Sequence, residues 1–172
     1  MKNDTFTCCF TGYRPQKLPF SVSRDDKAYI DFENRLIAEI TELINAGCGT
    51  FISGMAAGFD IIAAECVTEI RELITDTSVE LVCAIPFPDQ AKSFPPFWKQ
   101  KYCDLLARCE RSVTVCEEYS PACYMKRNIY MVDNSDIALA FWDGKPGGTK
   151  NTVDYAKRKG RKIINLYEQS GE

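Results

Sequence analysis

A glycine-rich loop near residue 145 has the composition of an anion-binding site. The apolar run Ile137–Trp142 precedes it and is typical of a strand buried on both faces. The loop itself contains Asp143, Gly144, Gly147, Gly148 and Thr149. Where a strand, a glycine loop and a helix follow in order, free N–H groups and the positive end of the helix dipole face one point. We therefore predict a phosphate or carboxylate site; the alternative is a loop that only turns a strand into a helix.

Two earlier strand ends carry residues of the same kind. Gly12 and Arg14 follow the first predicted strand, and an arginine there can reach an anion. After the second predicted strand the chain presents Ser53, Gly54, Met55 and Gly58. Asp60 comes next, and it either caps the following helix or holds a ribose hydroxyl.

The chain contains no histidine, which excludes Ser-His and Cys-His nucleophiles and histidine-ligated metals within it. Its nine cysteines include no C-x-x-C pair. We interpret them as small buried apolar residues of a reducing compartment, because thiolate zinc sites usually show paired spacings. We expect no metal site and no required cofactor.

Short apolar runs alternate with segments of helical periodicity along the chain. The predicted strands are Phe6–Thr11, Thr50–Ser53, Val79–Ile85, Ser112–Val115, Ile137–Trp142 and Ile163–Leu166. Six β-α alternations favour an α/β fold with a doubly wound, mostly parallel sheet three layers thick. Residues 1–172 are expected to form a single domain. Six of the ten glycines follow strands, at the edge where such sheets bind ligands.

Charge and hydropathy narrow the choice of partners. Twenty-one basic and 24 acidic residues leave a net charge of −3, and no run of lysine or arginine stands out. A nucleic-acid partner is therefore not expected unless basic residues gather locally in the fold. No secretory signal core is apparent, and no stretch approaches the roughly 20 apolar residues of a membrane span. We expect a cytoplasmic protein.

Five short segments, taken together and in order, resemble a bacterial protein family. They are Thr11–Pro15, Ser53–Asp60, Ala84–Pro88, Met125–Asn128 and Asp143–Thr149. The set is similar to the YpsA-like proteins of the SLOG superfamily, which also holds the DNA-processing protein DprA and the LOG phosphoribohydrolases. The resemblance covers nearly the whole chain. It implies a Rossmann-like sheet that binds nucleotides or nucleotide-derived ligands.

The two better understood relatives imply different activities. In the LOG hydrolases an arginine and a glutamate act at an N-glycosidic bond; Arg127 resembles that arginine, but Thr152 stands where the glutamate is expected. A threonine hydroxyl cannot replace a carboxylate as a base near neutral pH. The remaining catalytic candidates are Arg127, Asp60, Glu65 and Asp143. The loop Ser53–Asp60 is similar to one in DprA, a single-stranded DNA-binding fold, which the net negative charge argues against here.

The predicted function is thus binding of a nucleotide or nucleotide-derived ligand, with a role as a sensor or regulator as one interpretation. Binding without catalysis is favoured, because Thr152 replaces the carboxylate expected of the related hydrolases. LOG-like hydrolysis of nucleoside monophosphates is the alternative, and DprA-like binding of single-stranded DNA comes third. The predicted ligand-binding residues are Thr11, Gly12, Arg14, Ser53, Gly54, Met55, Gly58, Asp60, Pro86, Arg127, Asn128, Asp143, Gly144, Gly147, Gly148, Thr149 and Thr152. A homodimer or higher oligomer is also expected, because one small domain does not readily bury the aromatic residues Phe94, Phe97, Trp98, Tyr102 and Tyr130.

Overall fold

All six strands of the central sheet run parallel. The computed structural model describes residues 4–75 and 77–167. The strands are β1 (Phe6–Gly12), β2 (Cys48–Ser53), β3 (Glu80–Ile85), β4 (Arg111–Thr114), β5 (Ile137–Phe141) and β6 (Lys162–Asn165). The helices are α1 (Lys27–Asn45), α2 (Phe59–Leu73), α3 (Pro96–Arg108), α4 (Cys123–Asp133) and α5 (Gly148–Arg158), with a 3-10 turn at Pro15–Lys17. The predicted three-layer α/β fold is confirmed.

The order of the strands creates a switch point between β1 and β5. In space the order is β4-β3-β2-β1-β5-β6, so the chain moves outward from β1 and then returns to its other side. Helices α1, α2 and α3 pack in sequence on one face, and α4 packs on α5 on the other. Gly12 pairs with Phe141, so the loops after β1 and β5 leave the sheet side by side. In such sheets ligands bind in the crevice at this point.

The core has a large aromatic side and a smaller aliphatic side. Phe10 of β1 stacks on Phe51 of β2 at 5.7 Å between ring centroids, and the ring of Phe59 stacks on Phe141 at 5.9 Å. On the other face Cys9 packs among small and flexible side chains of α4, α5 and β5. Strands covered on both faces must be apolar throughout, which is why β5 is a run of five buried residues.

In the described ranges the six strands alternate with five α-helices in the predicted order, and β6 is the last of these elements. One expectation about the cysteines needs correction. Six of the nine cysteines are buried as expected, but Cys103 is exposed because it lies on the outer side of α3. The single domain predicted for residues 1–172 stays a prediction, because residues 1–3, 76 and 168–172 lie outside the described ranges.

The aromatic residues that suggested association are mostly used inside the subunit. Trp98 and Tyr102 are 6% and 5% exposed, whereas Phe97 is 50% exposed. Phe94 packs edge-on against Tyr102, with 5.7 Å between the ring centroids. The expected homodimer stays a prediction that is now supported by one exposed ring. No helix of the described part is long and apolar enough to cross a bilayer.

Gly12 lies where α2 begins to cover the sheet. A Cβ at Gly12 would fall 2.5 Å from the Phe59 ring and 2.7 Å from the Cβ of Phe59, which is fully buried. The close approach of α2 to the end of β1 therefore requires glycine at this position.

We expect Gly12→Ala to lower the free energy of unfolding by about 1–3 kcal/mol, because the methyl group overpacks a buried ring. Gly49→Ala is the matched control, since it lies on the neighbouring strand β2 and its Cβ would meet Thr5 at an ordinary 3.4 Å. Urea unfolding of both variants measures the effect. Equal stabilities for the two variants would contradict the packing role of Gly12.

Candidate functional site

A cavity of about 310 Å³ opens at the carboxyl edge of the sheet, at the switch point between β1 and β5. The loop after β1, the start of α2, the middle of α4 and the start of α5 line it. The structure brings these predicted residues into its wall: Thr11, Gly12, Arg14, Asp60, Arg127, Asn128, Gly147, Gly148, Thr149 and Thr152. Residues from four separate segments of the chain thus meet at one point.

A hydrogen bond ties the two loops of the switch point together. The Tyr13 hydroxyl donates to the Asp143 carboxylate, 130 residues further along the chain. The Tyr13 N–H also donates to the carbonyl of Phe141 at 3.3 Å. Burial and the bond to Asp143 raise the pKa of Tyr13 to about 12, and the same bond lowers the pKa of Asp143. Asp143 is therefore an ionised anchor of the loop and does not line the cavity.

The amino end of α5 faces the cavity without a side-chain cap. Gly147 holds the capping position with φ of 151°, and no side chain bonds the first-turn N–H groups in the described structure. Apart from its chain neighbours and its own helix backbone, no described atom lies within 4 Å of the place where a Cβ at Gly148 would be. The Nζ of Lys17 lies 3.3 Å from the corresponding place at Gly147. A helix end with free N–H groups beside an ammonium group suits an anion.

The three glycines of this loop differ in backbone conformation. The positive φ angles occur at Gly144, with 93°, and at Gly147, whereas Gly148 already has the backbone of a helical residue. Gly144 is exposed and lies outside the cavity wall. Its conformation serves the turn between β5 and α5.

Arg127 is a buried cation at the base of the cavity. It is 4% exposed, and its Nη1 donates to the carbonyls of Gly54 and, at 3.5 Å, Ala84. Its Nε donates to Oδ1 of Asn128 at 2.9 Å. A Cβ at Gly54 would fall 2.7 Å from Cζ of Arg127, so glycine is needed there for the guanidinium to pass. Burial lowers the pKa of Arg127, but a guanidinium stays charged near neutral pH.

Asp60 brings a buried carboxylate to the same cavity. It is 6% exposed, and its Oδ1 has no hydrogen-bond partner in the described structure. Burial raises the pKa of Asp60 to about 6, although Arg127 and the N–H of Ala56 act in the opposite direction. An unpaired buried acceptor can receive a hydrogen bond from a ligand hydroxyl, and a carboxyl with this pKa can exchange a proton near neutrality.

The predicted residues between β2 and α2 shape the loop without lining the cavity. The Ser53 hydroxyl donates to the Asp60 carbonyl at 2.9 Å and accepts from the Met55 N–H at 3.2 Å. Met55 has φ of 59° and is fully buried. Gly58 has φ of 101°, and a Cβ there would fall 2.5 Å from the carbonyl oxygen of Tyr13. These residues position Asp60 through the backbone.

Three other predictions also fall outside the cavity or are used within the fold. The Pro86 carbonyl accepts from the N–H of Cys116 at 3.0 Å. Glu65 pairs with Lys101 at 2.8 Å and lies away from the cavity wall. The Thr152 hydroxyl does line the cavity, but it donates to the carbonyl of Gly148 at 3.1 Å, four residues earlier in its own helix.

Several residues of the cavity wall were missed from the sequence. They are Tyr13, Gln16, Lys17, Ala56, Tyr124, Lys145 and Lys150. Tyr124 had a usable signal, because it precedes Arg127 by three positions and so shares its helical face. The lysines had none, since each is an ordinary surface residue by pattern. With Arg14 and Arg127 they make the wall basic, although the chain as a whole carries a net charge of −3.

Comparisons with known proteins agree on one family. The model of the YspA SLOG family matches residues 8–168. The SPbeta prophage-derived protein YoqJ of Bacillus subtilis is 32% identical over 142 residues, covering 75% of this chain and 82% of that protein. A UPF0398 protein of Bacillus cereus strain AH187 is 28% identical over 154 residues, covering 87% of this chain and 82% of the other.

Two solved structures share the fold. DNA processing protein A from Helicobacter pylori, described for its single-stranded DNA binding mode, superimposes with a TM-score of 0.65 at 16% identity, covering 97% of this chain and 67% of that one. DprA from Streptococcus pneumoniae gives a TM-score of 0.66 at 14% identity, covering 96% of this chain and 52% of that one. At these identities the likeness is one of fold.

Replacing Asp60 by asparagine removes a buried carboxyl whose ionisation opposes folding. Because the folded pKa is about 6 against an ordinary 3.8, the wild-type protein loses stability from this group as pH rises through that interval. The free energy of unfolding of Asp60→Asn minus that of wild type should grow by roughly 1–3 kcal/mol between about pH 4 and about pH 7. Urea unfolding across this range measures it, with the exposed Asp89→Asn as control. A constant difference would contradict this assignment.

Proposed function

The chain belongs to the YpsA family of SLOG proteins, and on that premise we propose that it binds a nucleotide or nucleotide-derived ligand in the cavity between β1 and β5. One observation carries the proposal: an unpaired buried carboxylate and an uncapped helix amino end line the same cavity. A nucleotide offers a hydroxyl donor for the first and a phosphate for the second. The cytoplasm, where such ligands are abundant, is the proposed compartment.

Each end of the cavity suits a different part of the ligand. The N–H groups at Gly148 and Thr149, with the ammonium group of Lys17 beside Gly147, hold the phosphate. Oδ1 of Asp60 accepts a hydrogen bond from a ribose hydroxyl, which removes the cost of leaving a buried acceptor unpaired. A volume of about 310 Å³ lies at the lower end of the range for small-molecule sites.

Binding is the proposed activity in preference to hydrolysis. Thr152 stands where the related hydrolases are expected to carry glutamate, and its hydroxyl already donates to a helix carbonyl. Its oxygen retains only the capacity to accept a hydrogen bond from the ligand. Asp60 is the carboxyl that stands beside Arg127, and its buried position at the start of α2 suits the holding of a hydroxyl. A sensor or regulator of a nucleotide level needs no more than this.

Gly148→Val tests the phosphate site. A valine side chain would enter space that is open beyond the backbone of its own helix. We therefore expect the fold to be kept and nucleotide affinity to fall at least about tenfold. Asn151→Val is the matched control, because it places the same residue on the exposed side of α5. Calorimetry with AMP, GMP, CMP and UMP measures affinity. Equal affinities for the two variants would show that the loop is only a turn.

Single-stranded DNA is the second candidate, and the basic wall of the cavity favours it. Arg14, Lys17, Arg127, Lys145 and Lys150 face the same space as a single carboxylate, Asp60. Lys150 is partly neutralised by Asp154 at 2.5 Å, and Lys145 by Asp143 at 3.4 Å. The structural likeness to DprA also supports single-stranded DNA as a ligand, which the net charge alone does not. Its rank below the nucleotide rests on the small size of the cavity.

We expect a short single-stranded oligonucleotide to bind only weakly at about 0.15 M salt, because the cavity contacts few phosphates. For the same reason its affinity should fall only modestly between about 50 and 200 mM, since the salt dependence grows with the number of phosphates neutralised. Fluorescence anisotropy of the wild type, Arg14→Ala and the control Lys162→Ala measures this. Lys162 is exposed on β6, far from the cavity wall. Submicromolar binding at physiological salt that Arg14→Ala abolishes and Lys162→Ala preserves would place DNA first.

A further inference from the structure

A second cavity of about 310 Å³ adjoins the first. Arg14, Gln16, Ala56 and Tyr124 line both cavities, so the two spaces meet along a shared wall. The second one extends toward the segment between β3 and α3, which the proposed nucleotide site does not use. Its lining there is largely apolar.

Gln90 lines this second cavity, and its amide oxygen is an unpaired acceptor. It is 3% exposed, and its Nε2 donates to the carbonyl of Gly54 at 3.0 Å. A carbonyl only accepts hydrogen bonds, so this contact fixes which end of the amide is the oxygen. The Oε1 is buried and has no partner in the described structure. An unpaired buried acceptor is destabilising, and a ligand donor removes that penalty.

The walls around Gln90 are aromatic. Phe94, Pro95 and Trp98 line the cavity on the side of α3, and Trp98 is 6% exposed. On the shared wall the guanidinium carbon of Arg14 lies 5.2 Å from the centre of the Tyr124 ring. Largely apolar walls beside a buried acceptor suit a planar heterocycle that carries an N–H donor.

We propose that the Gln90 cavity is a base subsite, which takes the nucleobase of the ligand whose phosphate lies at the amino end of α5. The inference rests on the proposed function and extends it, because it assigns the unphosphorylated end of the ligand to residues outside the glycine loops. The two subsites share a backbone atom: the Gly54 carbonyl accepts from both Gln90 and Arg127. This shared carbonyl fixes the position of Gln90 in the second cavity relative to Arg127 in the first.

Calorimetry with ribose 5-phosphate and with AMP, GMP, CMP and UMP separates the two subsites. In the wild type the best nucleotide should bind at least about tenfold more tightly than ribose 5-phosphate, a ratio that reports the base. Gln90→Met should remove most of this ratio and leave the affinity for ribose 5-phosphate unchanged. Lys92→Met, an exposed position in the same segment, is the control and should change neither value.

A second variant keeps the test independent of the Gln90 hydrogen bond. Ala57 lines only the second cavity, so Ala57→Leu narrows it and leaves the contact between Gln90 and Gly54 in place. The same loss of the nucleotide to ribose 5-phosphate ratio is expected. A ratio near one in the wild type, or a ratio that survives both substitutions, would overturn the base subsite while the phosphate site stands.

If neither ribose 5-phosphate nor any of the four nucleotides binds, the proposed function is wrong. Free nucleobases, which carry no phosphate, test the base subsite separately. The chain has two tryptophans, so Trp142→Phe leaves Trp98 as the one indole reporter, in the wall of the second cavity. Free adenine, guanine, cytosine or uracil should quench the fluorescence of Trp98. The double variant that carries both Trp142→Phe and Gln90→Met should show no quenching. Failure of all four bases to quench would overturn the base subsite on its own.

Discussion

The site depends on one buried contact, the hydrogen bond from the Arg127 guanidinium to the Gly54 carbonyl. Arg127 comes from α4 on one face of the sheet, whereas Gly54 opens the loop that leads to α2 on the other. Among the described residues no carboxylate lies within ion-pair distance of this guanidinium, so carbonyl dipoles and the nearby charge of Asp60 must stabilise it. This contact fixes the loop between β2 and α2. The loop in turn positions Asp60, and its Gly54 carbonyl accepts a hydrogen bond from Gln90.

The glycines divide into two physical classes that look the same in a sequence. Glycine is required at positions 12, 54 and 58 because other protein atoms occupy the space that a side chain would need. These atoms are a ring at Gly12, a guanidinium at Gly54 and a backbone carbonyl at Gly58. Gly148 borders space that protein leaves open, and Gly147 borders only the end of a lysine side chain. The first class builds the platform and the second leaves room for a ligand.

The net charge of the chain and the charge at the cavity differ in sign. A chain with a net charge of −3 concentrates basic side chains at one edge of its sheet, because the loops after β1 and β5, the middle of α4 and the start of α5 converge there. Inside a partly enclosed cavity these charges act through a lower effective dielectric than on the open surface. Net charge is therefore a poor guide to what this protein binds.

Much of the architecture is determined by the sequence alone, because parallel strands buried on both faces must be apolar and glycines must follow them; both patterns are local. The three-layer fold, the glycine loop after β5 and Asp60 were predictable for that reason, whereas Arg127 was indicated by the resemblance to a known family. Which loops become neighbours is a property of strand order: the return of β5 to the side of β1 brings Lys17 to Gly147. The pairing of Gln90 with Gly54, 36 residues apart, has no local pattern either. Only the tertiary structure determined these contacts, because they depend on long-range packing.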